Sequence, residues 1–307
     1  MIFRMQYQKM IKTTAPKILI ILSSLNITVA CADANFVPHT ATSIKTESSN
    51  FTEEVKNIKN PERIRSVCDD QKKAEYCFNY AAYQDLVLED YQLAYEYHMK
   101  AFDLGEKESG VLIGHYQVNY PEQFTDSNRL NIDESIYYLE QAFKAGYPDA
   151  TRLLMMIYRD PKFNRINYTK AEYYNKIAIK QNVKKSRGLL AYLYIHHMKD
   201  KSKGDEIIKL LKADLLLEKN WESALALMNI YLYPKDYGAS IEPDLVKTLA
   251  YAYVSSDLRD GRLEDEFNNV DTRFVEAMQT ELLPKTLKQA KAMYLNLMAK
   301  MNDKNIS

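Results

Sequence analysis

The chain has 307 residues with 41 basic and 41 acidic side chains, so its formal net charge is zero. This balance argues against a nucleic-acid-binding protein, which normally carries a basic excess, and a hydrophobic content of 46% argues against general disorder. Only 8 glycines and 9 prolines occur beside 24 tyrosines, which predicts a mainly helical chain with many half-buried rings whose hydroxyls reach water.

Residues 1–32 have the pattern of a signal peptide. The charges before Asp33 are all positive, and they lie at Arg4, Lys9, Lys12 and Lys17. The apolar stretch that follows, Ile18 to Ala30, is too short to cross a bilayer comfortably, and small residues come after it as at a cleavage site. We therefore predict a periplasmic or secreted protein, with an anchored or buried helix as the alternative. Removing four positive charges from 41 leaves 37 basic against 41 acidic groups, a net charge of −4.

Cys31 is a candidate lipidation site. The segment Thr28-Val29-Ala30-Cys31 is similar to a bacterial lipobox, although lipoboxes usually carry Leu where Thr28 stands. The protein is then either an outer-membrane lipoprotein or soluble, and a lipid on Cys31 is the one membrane attachment that we expect. The Ser- and Thr-rich stretch after the cleavage site predicts a flexible linker over residues 33–51.

The remaining cysteines, Cys68 and Cys77, are predicted to form a disulfide. They lie nine residues apart, and an oxidising compartment favours pairing them. Two buried free thiols are the alternative. No histidine or further cysteine stands nearby at metal-ligand spacing, so we do not expect a zinc site.

From about residue 52 the chain carries a repeated pattern. A small residue is followed after four positions by a large apolar residue and after eight positions, in most copies, by an alanine or a tyrosine. The copies begin at Ala74, Ser109, Ala150, Ser186 and Ser223, which are 35, 41, 36 and 37 residues apart. A period of this length that carries two amphipathic helices is typical of an α-solenoid.

A second pattern lies between these copies. Its residues recur at offsets of three and seven, which line one stripe of a helix, in copies that begin at Ala94, Ser135, Ala171, Ile208 and Thr248. Residues suited to cap the start of a helix stand four positions earlier, at Asp90, Asn131, Asn167 and Asp244. Residues suited to end it follow at Gly105, Gly146 and Asn182.

These patterns resemble the consensus of Sel1-like repeats, which are related to tetratricopeptide repeats. The resemblance is clearest in Ala150-x3-Leu154-Met155-x2-Tyr158 and in Asn167-x2-Lys170-Ala171-x2-Tyr174-x3-Ala178. It implies an all-α fold, an α-solenoid of about five helix-turn-helix repeats with capping helices at both ends. The Gly-x-Gly-Val loop of the family is mostly missing, which is in line with the low glycine count.

The predicted domain organisation follows from these segments. We expect a signal peptide over residues 1–32, a linker over 33–51, an N-terminal capping helix over 52–73, interrupted at Asn60-Pro61, a repeat solenoid over 74–260 and C-terminal capping helices over 261–307. Pro284 is expected to begin the last of these helices.

The sequence contains no recognisable catalytic set, and we predict a protein that is not an enzyme and needs no cofactor or metal. It has no phosphate-binding glycine loop and no His-Glu-x-x-His motif. The adjacent His196 and His197 point to different sides of a helix. The acidic cluster Glu264–Glu266 and the basic residues from Lys199 to Lys212 are expected to be solvated.

We therefore expect a scaffold or adaptor that holds a protein or peptide on the concave face of the solenoid. The aromatic residues expected to contact the partner are Tyr116, Tyr158, Tyr194, Trp221 and Tyr231, although Trp221 could instead pack at a repeat junction. One alternative is an immunity-type neutraliser of a toxin or lytic enzyme. A weaker one is a cell-wall hydrolase, which would need two converging carboxylates. The sequence does not indicate an oligomeric state.

Overall fold

The computed structural model describes residues 49–120, 132–259, 282 and 284–303. These residues belong to one compact unit that spans residues 43–307. Within this part of the chain the regular structure is helical, and no strand is present. The helices are α1 (Ser49–Lys56), α2 (Pro61–Gln71), α3 (Ala74–Tyr83), α4 (Tyr91–Asp103), α5 (Ser109–Asn119), α6 (Ile132–Lys144), α7 (Pro148–Arg159), α8 (Tyr168–Lys180), α9 (Ser186–Tyr192), α10 (Gly204–Glu218), α11 (Trp221–Leu232), α12 (Leu245–Arg259) and α13 (Pro284–Asn302).

The predicted all-α solenoid is confirmed. The five copies of the first pattern lie on α3, α5, α7, α9 and α11, and the five copies of the second lie on α4, α6, α8, α10 and α12. From α1 to α13 most helices pack against the next helix of the chain, as expected for stacked helical hairpins. We call the helices with the first pattern the first helices of their repeats and those with the second pattern the second helices. The first helices α5 and α7 also pack on each other. Within the described part of the chain, no pair of second helices from neighbouring repeats packs so closely, and α5 and α7 are the one such pair of first helices that does.

The helix ends follow the predicted capping pattern. The backbone N–H groups of Leu93, Lys170 and Lys247 each donate a 3.0 Å hydrogen bond to the carboxylate or amide oxygen of the capping residue, which is Asp90, Asn167 and Asp244 respectively. The predicted stop residues Gly105, Gly146 and Asn182 have positive φ angles of 107°, 94° and 56°. Asn131 lies outside the described residues.

Tyrosine pairs fill the seams between the two helices of a repeat. The rings of Tyr158 and Tyr174 stack with their centres 5.9 Å apart, and those of Tyr231 and Tyr251 do so at 5.6 Å. A lysine covers each pair. The ammonium of Lys170 lies 4.6 Å from the centre of the Tyr158 ring, and that of Lys247 lies 5.0 Å from the Tyr231 ring. The high tyrosine count is therefore partly explained by packing.

The N-terminal capping segment consists of two helices where one interrupted helix was expected. α1 begins at Ser49, within the segment expected to be linker, and α2 begins at Pro61. The break arises because the Asn60 side chain accepts the Arg63 N–H at 3.0 Å and Pro61 occupies the first position of the new helix. The next helix, α3, begins at Ala74.

A hydrogen-bond network holds α2 on the first repeat. Arg65 Nε donates to the Tyr97 hydroxyl at 3.0 Å, and that hydroxyl donates to Asp69 Oδ2 at 2.8 Å. Lys100 Nζ donates to the other carboxylate oxygen of Asp69 at 2.7 Å. The Tyr80 ring from α3 packs edge-on against Tyr97 at 4.5 Å. α2 thus covers the end of the first repeat with a charged hydrogen-bond network next to the packed rings of Tyr80 and Tyr97.

Two first helices continue beyond their α-helical part as π-helical turns. Gln84–Leu88 follows α3 and Leu193–Met198 follows α9, and each turn ends at a residue with positive φ, Glu89 and Lys199.

At the other end of the chain, α13 begins at Pro284 as predicted. The predicted signal peptide, Cys31, the linker up to residue 48 and the acidic cluster Glu264–Glu266 lie outside the described residues.

Candidate protein-binding surface

All four tyrosines predicted to contact a partner are buried, so that prediction is corrected. Tyr116, Tyr158, Tyr194 and Tyr231 are between 0% and 5% exposed. Their rings lie in the seams between helices, where the repeat pattern also brings them. A side chain that is already covered by its own protein offers little contact area to a partner.

The hydroxyls of three of these tyrosines interact with other side chains of the chain. The Tyr194 hydroxyl donates to Glu172 at 2.8 Å, and the Tyr158 hydroxyl accepts from Lys170 at 3.0 Å. Tyr116 interacts with the carboxyl group of Asp85, and burial followed by that carboxyl raises the pKa of Tyr116 well above its ordinary value. Trp221 differs because it is partly exposed, and the guanidinium of Arg259 lies 5.4 Å from its ring centre.

The surface available on the first helices is formed by other residues. They follow the start of each repeat by two, six or ten positions, so they share one side of their helices. We call six partly exposed residues of this set the inner face: Asn119, Arg152, Met156, Tyr192, His196 and Asn229. The sequence alone shows this spacing. Which positions of each helix are exposed and which are buried depends on how the helices pack.

A cluster of rings on the inner face lies at the end of α9 and on the π-helical turn that follows it. The Tyr192 ring lies 4.3 Å from the His196 ring and 5.4 Å from the His197 ring, measured between ring centres. The guanidinium of Arg159, which is 5% exposed, lies 6.0 Å from the Tyr192 ring centre. The Tyr168 ring from α8 lies 5.4 Å from His197. Packed neighbours thus hold Tyr192 in one orientation, which lowers the entropy lost when a partner covers it.

The inner face is close to neutral near pH 7. Burial lowers the pKa of His196, and the neighbouring His197 adds to that effect. Burial and Arg159 lower the pKa of His197, against a smaller opposing effect of Asp160. Arg152 lies 3.7 Å from the carboxylate of Asp149. The histidines are therefore uncharged at neutral pH, and the surface combines an aromatic ring, a thioether and amide groups.

A second aromatic group lies between the end of α3 and the end of α5. Burial raises the pKa of Asp85 to about 6, while the hydrogen bond from Tyr116 opposes that rise. The rings of Tyr91 and Tyr120 stack at 5.5 Å, and His115 lies 5.7 Å from Tyr120. Burial, with a smaller effect of Arg152, lowers the pKa of His115 to about 4. This group joins the first two repeats.

Two kinds of feature are absent from the described residues. They contain no group of three or more His, Cys, Asp or Glu side chains placed to hold a metal ion. Among the helices described, none is both long enough and apolar enough to cross a bilayer.

The sulfur atoms of Cys68 and Cys77 are bonded in the structure, with their Cα atoms 4.8 Å apart, and both residues are buried.

Several solved structures are similar to this chain, and two of them are described here. One is a protective antigen present in uropathogenic Escherichia coli strains that displays an SLR fold, with a TM-score of 0.56, 17% sequence identity and coverage of 77% of this chain and 48% of that one. This chain thus spans about half the length of that antigen. The other is a Sel1 repeat protein from Oxalobacter formigenes, with a TM-score of 0.53, 15% identity and coverage of 76% of this chain and 98% of that one.

No protein-family model and no curated protein matches the sequence. The similarity to the two solved structures at these identities is one of fold. Both carry the repeat architecture that the patterns on α3 to α12 predict.

Proposed function

We propose that this chain, which has the Sel1-like repeat fold, is an exported scaffold that binds a protein or peptide through the inner face. The fold itself suggests protein–protein interaction, since stacked helical hairpins present an extended concave surface. The observation that carries the more specific proposal is the row of partly exposed residues on α5, α7, α9 and α11, centred on Tyr192. Tyrosine and methionine are enriched in protein interfaces.

The composition of the inner face indicates the kind of partner. Burial lowers the pKa of its one histidine, His196, which favours the neutral ring, and Arg152 is paired with Asp149. A partner should therefore present apolar and hydrogen-bonding groups to this surface and needs no high charge. The same face could hold a toxin or lytic enzyme, in which case the chain would act as an immunity protein, and the identity of the partner distinguishes the two roles.

The test of this proposal is site-specific crosslinking in the native cell. A photoreactive amino acid at Tyr192 should give an adduct with one protein, which mass spectrometry identifies. In the purified pair, the double substitution Met156→Ala and Tyr192→Ala should weaken binding by tenfold or more, because truncation of interface anchors typically costs over about 1 kcal/mol each.

The matched control is Tyr173 on the second helix α8. Its ring is 55% exposed, so Tyr173→Ala removes an exposed tyrosine outside the inner face. This variant should keep the affinity within twofold. Equal loss in both variants, or an adduct from position 173 and none from position 192, would overturn the inner-face proposal.

The proposed export would place Cys68 and Cys77 in an oxidising compartment. We therefore expect these two residues to form a disulfide in the native cell. In the Cys31→Ser variant these two residues are the remaining cysteines. We expect no free thiol in that variant after denaturation and, on adding a reductant, a loss of about 2–3 kcal/mol of unfolding free energy, which is the chain-entropy value for a short loop. Urea unfolding with and without reductant measures this difference.

The control for that measurement is the triple variant Cys31→Ser, Cys68→Ala, Cys77→Ala, whose stability should not respond to the reductant. Two titratable thiols in the protein isolated from its native cell would contradict the disulfide. Cell fractionation of the full chain separately tests export, and release of the Cys31→Ser variant from the membrane fraction would indicate a lipid on Cys31.

A further inference from the structure

The last helix, α13, carries charge of one sign. Its sequence contains four lysines and no aspartate or glutamate. The lysines are Lys285, Lys288, Lys291 and Lys300, and none of them forms an ion pair within the described residues. Lys219, directly after α10, donates to the Asn302 side chain at 3.0 Å and adds a fifth ammonium near the end of α13. Asp303, directly after the helix, is the adjacent carboxylate.

The apolar side of α13 is already covered. α13 packs on α12 and α10, with Ala290 and Met301 buried. The Tyr294 hydroxyl also donates to Asp257 of α12 at 3.0 Å. This side ties the helix to the solenoid and is not available to a ligand.

The opposite side of α13 presents an exposed stripe. Residues spaced by three and four positions share one face of a helix, and Lys288, Ala292, Leu295 and Ala299 have this spacing. All four are exposed, and Leu295, at 63%, is the most exposed large hydrophobic residue of the described part of the chain. Lys285 and Lys291 flank the stripe. We call these six residues the outer face of α13.

We propose that the outer face of α13 binds an acidic helix of a partner protein. Ala292 and Ala299 are small, so the backbone of a second helix can come close on either side of Leu295. The flanking lysines then face the carboxylates of that helix, and this charge complementarity defines the partner. None of these residues belongs to the inner face, so the proposal does not depend on the function proposed above.

An anionic membrane is a less suitable occupant for this face. A helix that lies in a bilayer interface buries a continuous apolar side in the lipid, whereas the apolar side of α13 is packed against α12. Leu295 is the one large apolar side chain of the outer face. Lysines alone would give electrostatic adsorption, which vesicles can detect directly.

The experiment uses the full chain in its native cell with a photoreactive amino acid in place of Leu295. The expected result is an adduct with a protein whose crosslinked peptide is helical and acidic. The triple substitution Lys285→Glu, Lys288→Glu, Lys291→Glu should reduce the adduct at least tenfold, and changing the acidic residues of the identified peptide to lysine should restore it.

The control triple variant is Lys59→Glu, Lys184→Glu, Lys235→Glu, which makes the same charge change at three exposed lysines elsewhere in the chain. It should leave the adduct unchanged. The proposal is overturned if no adduct forms, if both triple variants reduce it equally, or if charge exchange in the partner fails to restore it. Flotation of the protein with phosphatidylglycerol vesicles but not phosphatidylcholine vesicles, abolished by the α13 variant, would replace the acidic helix with a lipid surface.

Discussion

Replacing Asp214 with alanine is expected to lower the free energy of unfolding by about 3–5 kcal/mol. Asp214 lies on α10 and its side chain is fully buried. Its carboxylate accepts the Gly188 N–H at 3.1 Å, the Asn220 amide at 2.9 Å and the Ser223 hydroxyl at 2.6 Å. Removing the carboxylate leaves these three donors without their acceptor, and buried donors without partners are costly.

The effect should extend across the junction of two repeats, because the three donors belong to α9, to the cap of α11 and to α11 itself. Asp214→Asn, which keeps one carbonyl oxygen, should lose about half as much stability. Asp103→Ala removes an exposed carboxylate from the second helix α4 and should change stability by less than about 0.5 kcal/mol. Urea unfolding followed by circular dichroism measures all three, and equal stability of the Asp214 and Asp103 alanine variants would contradict the proposed role.

Gly238→Ala is expected to cost about 2–5 kcal/mol of unfolding free energy, because it combines backbone strain with a steric clash. Gly238 has a φ of +69°, and a Cβ atom there would lie 1.8 Å from the carbonyl oxygen of Lys201. A Cβ on Gly204 would in turn lie 2.3 Å from the carbonyl carbon of Gly238. The loop after α11 and the start of α10 therefore cross with their backbones in direct contact.

Gly105→Ala measures the destabilisation from backbone strain without that from a steric clash. Gly105 also has a positive φ, +107°, but a Cβ atom there would have no neighbour within 4 Å. This variant should lose about 1–2 kcal/mol from strain alone. The comparison by urea unfolding would contradict the crossing if Gly238→Ala were no more destabilising than Gly105→Ala.

The helical repeat could be predicted from the sequence because its determinants are local. A cap such as Asp90 and a stop residue such as Gly105 act within one helical turn, and the stripe that starts at Ala94 follows from the helical period. The buried tyrosine pairs also follow from the repeat register. The sequence did not show which tyrosines are exposed, because the tyrosine content is the same whether a ring packs between helices or lies on the surface.

Contacts between distant segments could not be predicted in this way. Asp214 stands in a helix as an ordinary acidic residue, and only the approach of α9 and α11 makes it a buried acceptor. Gly204 stands in the capping position of the copy that begins at Ile208, and its contact with Gly238 arises only because the two segments cross. The inner face around Tyr192 likewise depends on how α7 and α9 are placed.

By itself, the sequence determined the all-α class, the number and period of the repeats and most helix ends, since these depend on interactions within about four residues. The tertiary structure decided which tyrosines are covered, which carboxylate is buried and which faces of the first helices and of α13 remain open. Those features depend on the packing of one helix against another, and packing is set by contacts between residues far apart in the chain.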